Sequence, residues 1–194
     1  MTVEETTQVV TADLTRAASS TMQVLRQVRL GQMTAPTPCA SWDVHALINH
    51  FVGSARWWAA MLGGKDADPA ADYAAGDYVA AYEESIRIAC AAFAAEGALE
   101  RVVRMDQGEL PGAVLLGFAA TDQFTHGWDL ARAIGRPTVD LDPGLAESLL
   151  ARAVLGVTDA YRGPDGVAVF GPERVAPAGA GSADRLAAFL GRWV

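Results

Sequence analysis

The chain has 194 residues, 51% hydrophobic and 20% charged, which fits one domain able to bury a sizeable core and excludes a disordered or fibrous polymer. Its net charge is −8 and no Lys/Arg cluster interrupts it, which excludes the cationic stripe that grips nucleic acid or an anionic membrane. The start, Met1 to Thr7, is polar and acidic, unlike a signal peptide, and no apolar run reaches membrane-spanning length. Cys39 and Cys90 have no CxxC spacing and are too few for a disulfide framework, so a cytoplasmic, reduced protein is expected.

From about residue 4 to 30, Val10, Leu14, Ala17, Thr21, Val24 and Val28 fall at three-and-four spacing, which predicts a first helix ending at Gly31. Pro36 and Pro38 block its continuation. Ser41 is the expected N-cap of a second helix, with Asp43 in its first turn, running through Trp57, Trp58 and Met61 to Gly63-Gly64. Residues 65–76 are a small-residue linker, and a third helix is expected from Asp77 to Glu96 with Val79, Tyr82, Ile86 and Phe93 on its apolar side. Arg101 to Met105 is the one strand candidate, too little alone for a sheet.

A fourth helix is expected from Pro111, placed at the first helical position, to Ile134, before Gly135-Arg136-Pro137. Asp142-Pro143 restarts a helix that runs to about Val157. Residues 158–181, rich in Gly and Pro, should be irregular, and Ser182 should cap a last short helix ending at Leu190. The expectation is a single all-α domain, 1–194. Its four long helices form a four-helix bundle over about 4–157, and 158–194 is a C-terminal appendage.

The chain has three histidines, so each can be weighed. His50 falls near the middle of the second expected helix and His126 near the middle of the fourth, with Asp122 four residues before it. An i, i+4 pair shares one helix face, so Asp122 and His126 can reach a common point. Two imidazoles and a carboxylate with one position open are a ligand set for catalytic zinc, and equally for nickel or iron(II). An ordinary exposed Asp/His pair gives the same spacing. His45, five residues before His50, is rotated roughly 140° from it and reads as a surface or supporting residue. Asp43 shares the His50 face as a candidate orienter or a dipole-stabilising first-turn acid. Trp57 is a candidate pocket wall, and Trp58 and Trp128 are candidate core. Cys39 and Cys90 have no identifiable activating partner and read as inert. Ser54, in Gly53-Ser54-Ala55, lacks the glycine frame of a nucleophile elbow, and neither HExxH nor Glu-x-x-His occurs.

Thr37-Pro38-Cys39-Ala40-Ser41-Trp42-Asp43-Val44, leading through Leu47 and Asn49 to His50, resembles the N-terminal motif of the mycothiol-dependent maleylpyruvate isomerase family, within the DinB-like metalloproteins. Asp122-Gln123-Phe124-Thr125-His126-Gly127-Trp128-Asp129-Leu130-Ala131-Arg132 is similar to that family's carboxylate-x-x-x-His-x-Trp-Asp-Leu-Ala stretch. The tail, with Phe170-Gly171-Pro172, Asp184-Arg185-Leu186 and Leu190-Gly191-Arg192, resembles a small actinobacterial subgroup described as metal-binding. The resemblance implies a DinB-like four-helix bundle with a divalent metal, zinc first, on His50, Asp122 and His126. It departs in having Asp122 where the isomerase has Glu and His45 where Arg is common, and in ending before the isomerase's second domain.

The function implied is a metal- and thiol-dependent S-transferase or isomerase, with mycothiol as co-substrate and a small electrophile as substrate. Catalytic and thiol-binding residues stay unassigned, Asp129 or Asp43 being the only candidate bases. A non-catalytic metal- or small-molecule-binding module is the alternative, and a buried hydrogen-bonded cluster without metal is a third reading. A homodimer is left open.

Overall fold

A computed structural model describes residues 3–64, 68–105, 108–164 and 167–194, the stretch 3–11 by its backbone alone. Among the described residues there are six α-helices and one two-stranded sheet. The helices are α1 (Val3–Leu25), α2 (Val44–Met61), α3 (Tyr78–Phe93), α4 (Gly112–Ala133), α5 (Pro143–Gly156) and α6 (Ser182–Phe189). None of the described helices is long and apolar enough to cross a membrane.

Leu14, Ala17, Thr21 and Val24 are buried on α1, as their spacing predicts, while the Val10 side chain lies outside the described residues. The helix stops at Leu25, earlier than expected. Gln27 and Val28 bond back three residues rather than four, which tightens the last turn, and Leu30–Gln32 forms a separate 3-10 turn. Val28 is nevertheless buried, so the stripe outlasts the helix.

Asp43, not Ser41, caps α2: its carboxylate accepts from the Ala46 amide at 2.9 Å. The next free amides, Val44 and His45, donate to the Ala35 and Met33 carbonyls of the preceding loop. Asp77 caps α3 and Asp142 caps α5, with Pro143 in the first turn of α5 as its sequence predicts. Pro111 is the N-cap of α4 rather than its first helical residue, and Gly181 rather than Ser182 precedes α6.

The strand candidate exists as β1 (Val102–Met105), paired antiparallel with β2 (Gly108–Pro111) from Val102↔Pro111 to Met105↔Gly108. The second strand escaped sequence reading because Gly and Pro bracket it, residues of low strand preference.

Helix α1 packs against α4 and α3, α2 packs against α3 and α4, and α6 lies on α5. Helix α4 is enclosed: from Ala119 to Ala131 every residue but Asp122 is buried. Gly127 permits the close approach of α1, since a Cβ there would fall 2.2 Å from Thr21 Oγ1. Thr21 uses that proximity to donate to the Gln123 carbonyl at 2.7 Å.

The C-terminal segment is fastened to the helices rather than merely appended. Asp184 accepts from Trp128 Nε1 at 2.8 Å and from Thr138 Oγ1 at 2.7 Å. Phe170–Gly171 runs beside Leu190–Gly191 with the backbones in contact, which fixes the position of the next residue, Arg192.

Candidate metal centre

The loop before α2 is organised by Thr37. Its hydroxyl lies 2.8 Å from the Trp42 carbonyl and 3.0 Å from that of Cys39, and it accepts from the Cys39 amide at 3.1 Å. This local hydrogen bonding, together with the Asp43 cap, lays the Trp42 ring on His50 with centroids 4.2 Å apart and planes at 29°. His50 projects from the middle of α2 towards α4, where Asp122 and His126 lie one turn apart. The two imidazoles meet edge to face with centroids 4.7 Å apart.

Asp122 Oδ1 lies 3.3 Å from His126 Nε2 and 3.6 Å from His50 Nε2. Its other oxygen is already engaged: Oδ2 accepts from Ser54 Oγ at 2.7 Å and from Gln123 Nε2 at 3.1 Å. Gln123 is itself held, because the buried Tyr82 hydroxyl donates to its Oε1 at 2.8 Å. Burial pushes the Tyr82 phenol well above its ordinary value, so it stays a donor. The carboxylate is thus clamped on one side and aims its free oxygen at two imidazole nitrogens.

On the far side of the His126 ring, Nδ1 lies 3.0 Å from Asp129 Oδ2. Asp129 is fully buried and bound by Arg192 through two contacts, Nη2 to Oδ2 at 3.0 Å and Nε to Oδ1 at 3.3 Å. The Cys39 thiol donates to the same Oδ2 at 3.3 Å and lies 3.6 Å from Arg192 Nη2. Cys39 is therefore partnered, contrary to the inert reading, while Cys90 only lies 3.8 Å from Thr15 Oγ1. A proton on Nδ1 bonded to Asp129 leaves Nε2 as the nitrogen that faces Asp122 and His50 and that would meet a metal.

Three charged groups of this cluster are displaced from their ordinary values. Burial alone would raise the Asp122 carboxyl, but hydrogen bonding to His126 and His50 outweighs it and holds the group well below the usual carboxylate range. Burial would lower His126, yet Asp122 and Asp129 together hold it well above the ordinary histidine value. Asp129 is buried too, and the Arg192 charge keeps it ionised far below the usual range.

Two groups of side chains have the compactness to hold a cation: His50, Asp122 and His126, and, on the other side of the same ring, Cys39, His126 and Asp129. The second already contains a cation, the Arg192 guanidinium, against both its sulfur and its carboxylate. Charge repulsion disfavours a metal there, so this group supports the ring. In the first group the residues fit a metal. Ligands at about 2.1 Å on a tetrahedral zinc lie about 3.4 Å from one another. The separations of 3.3 and 3.6 Å match that edge.

His45 points away from this cluster, to Asp72 at 3.1 Å and to Asn49. Neither candidate base is free: Asp43 caps α2 and Asp129 is held by Arg192. Trp128 is fully buried, as expected of core. Two cavities flank Asp122 and Trp58. A broad one of about 550 Å³ opens beside His50, walled by Trp42, Asn49, Trp57 and Tyr73. A narrower one of about 90 Å³ lies beside His126, walled by Leu110, Phe118, Tyr161 and Phe170. Sequence reading missed Trp42, Ser54, Gln123, Cys39 and Arg192 as site residues. Ser54 carried a signal, being one turn from His50 on the same face; Arg192 carried none, lying 63 residues from Asp129.

Two uncharacterized proteins of Mycobacterium tuberculosis, from two strains, are each 40% identical to this chain over 180 residues, covering 92% of it and 95% of their own length. No solved structure matches it. Residues 14–131 match the mycothiol maleylpyruvate isomerase N-terminal domain, a span that contains His50, Asp122, His126 and Asp129. The chain belongs to that family.

Proposed function

We propose that His50, Asp122 and His126 bind one divalent metal ion, zinc in the first instance, in a DinB-like four-helix bundle formed by α1 to α4. We further propose that the site serves a thiol-dependent S-transferase or isomerase using a low-molecular-weight thiol, mycothiol by family membership. One observation carries the metal reading. Asp122 Oδ2 is held by Ser54 and Gln123 while Oδ1 faces two Nε2 atoms at the spacing of ligands around an ion.

Held by His50, Asp122 and His126, a metal would supply Lewis acidity and would lower the pKa of a thiol bound to it. The chain's own residues supply the rest. Asp129 holds the His126 tautomer, Trp42 fixes the His50 ring by stacking, and Ser54 and Gln123 orient the carboxylate. The broad cavity beside His50 gives a solvent-connected approach for the thiol. Asp68 also lines that cavity, one of its oxygens accepting from the Ala70 amide at 2.9 Å, and is the carboxylate on the approach to the site that could take a proton.

Metal analysis of the purified protein against His50→Ala, Asp122→Ala and His126→Ala tests the ligand set. The expected result is near-stoichiometric metal in wild type and loss in each variant; unchanged content in all three would refute it. Calorimetric titration with mycothiol tests the thiol class. Absence of binding to the metal-loaded protein would reduce the chain to a metal-binding module.

A further inference from the structure

The narrow cavity beside His126 differs in chemistry from the broad one beside His50. Its walls are Met105, Leu110, Phe118, Tyr161 and Phe170, and it reaches Asp122, Thr125 and His126 at one end. Among the described residues that line it the only guanidinium is Arg192, which is bound by Asp129 through two contacts and lies 3.2 Å from the Leu190 carbonyl. Both His126 nitrogens face carboxylates too, Nδ1 to Asp129 and Nε2 to Asp122, so among the described residues no lining side-chain cation is left unpaired to receive an anion. Two buried donors among the lining residues have no hydrogen-bond partner: Thr125 Oγ1 and Trp58 Nε1. Trp58 is 9% exposed and Thr125 4%.

An unpartnered buried donor forfeits the hydrogen bond it would make in water, so two in one cavity wall call for a physical reason. Indole N–H can only donate, so what satisfies it must be an acceptor. Neither atom is open to water, so a guest reaches them only with a small shift of the wall. Size narrows the guest further. An apolar cavity of about 150 Å³ takes benzene, so one of about 90 Å³ takes a group of roughly four heavy atoms, or the leading end of a larger molecule.

We propose that this cavity is a binding site for an uncharged, apolar carbonyl compound, its oxygen received by Thr125 and Trp58. Asp122 and Trp58 line both cavities, so such a guest borders the same carboxylate as the thiol approach. The proposal deepens the transferase reading and rests on it only for calling the guest a substrate.

The test is ligand-observed NMR on the purified protein with three probes: cyclopentanone, cyclopentane and pentanoate. Cyclopentanone is expected to bind at least tenfold tighter than pentanoate and several-fold tighter than cyclopentane. Thr125→Val should remove the preference over cyclopentane, and Thr125→Ser should restore it. Phe118→Trp, which fills the cavity, should abolish binding of both neutral probes. Pentanoate binding as tightly as cyclopentanone, an unchanged preference in Thr125→Val, or undiminished binding in Phe118→Trp would each overturn the proposal. A parallel arm measures metal content on the same wild-type sample: the probe preference without metal keeps the cavity and sinks the ligand set, and metal without the preference does the reverse. That arm separates failure of the cavity reading from failure of the metal reading.

Discussion

Replacing Asp129 by Asn tests how the site is supported, because Asp129 holds two things at once. Its carboxylate accepts from His126 Nδ1 at 3.0 Å, and it neutralises Arg192, whose side chain is 12% exposed. The amide is nearly isosteric, so packing is preserved while the charge is lost. Removing one partner of a buried ion pair costs about 3–5 kcal/mol, because the other charge stays buried and unpaired. For a chain of this length about 1 kcal/mol moves Tm by about 2–4 °C, so a fall of about 6–20 °C is expected in the metal-free protein. Loss of the carboxylate behind a ligating imidazole costs about 10–100-fold in metal affinity. The two effects separate in the double variant Asp129→Asn/Arg192→Met. Removing the stranded charge should restore most of the stability but not the affinity. Denaturant unfolding of metal-stripped protein and chelator-competition titration read the two quantities. A single variant that loses less than about 1 kcal/mol and keeps wild-type affinity would refute this account of the network.

Because Asp122 and Asp129 hold His126 above its ordinary value, the metal-free ring favours its protonated form more than a free imidazole does, and metal uptake at Nε2 displaces that proton. Calorimetry in buffers of different ionisation enthalpy should show about one proton released per metal at pH 7, with affinity falling as pH drops; no proton release would contradict the assignment. The same raised value sets a stability window. The His126 contribution is complete below the unfolded value of about 6.5 and is lost as pH rises through the folded one. Asp122 and Asp129, both depressed, contribute above about 3.9, and that contribution is lost as pH falls through their folded values. Metal-free wild type should therefore lose stability above about pH 6.5 relative to His126→Gln, and parallel pH profiles for the two would sink the argument. Gly127→Ala should cost about 1–3 kcal/mol by overpacking against Thr21, measured by urea unfolding; Gly127→Ala combined with Thr21→Ala, which removes the clashing Oγ1, should recover part of it.

Much of the helical architecture was legible because it is written in short-range rules. The three-and-four spacing of Leu14, Ala17, Thr21 and Val24, the Asp142-Pro143 start and the Gly63-Gly64 stop act within one or two turns, and such patterns survive folding. The i, i+4 spacing of Asp122 and His126 likewise put both on one face before any packing was known. Boundaries were less secure where two signals competed: Ser41 and Asp43 can both cap, and the loop carbonyls of Met33 and Ala35, paired to the His45 and Val44 amides, favour Asp43.

What only tertiary structure decided is which residues surround those three. Arg192 reaches Asp129 from the C-terminal segment because Asp184 pins α6 to Trp128 and because the Gly171 and Gly191 backbones touch. Cys39 reaches the same carboxylate across 90 residues, and Ser54 reaches Asp122 across 68. Hydrogen bonds and ion pairs between distant segments leave no period in the sequence. They form only after the helices have packed, so the sequence by itself determined the helix faces and a candidate ligand set. The packing of α2 and the C-terminal segment against α4 decided the charge balance, the held tautomer and the two cavities that flank them.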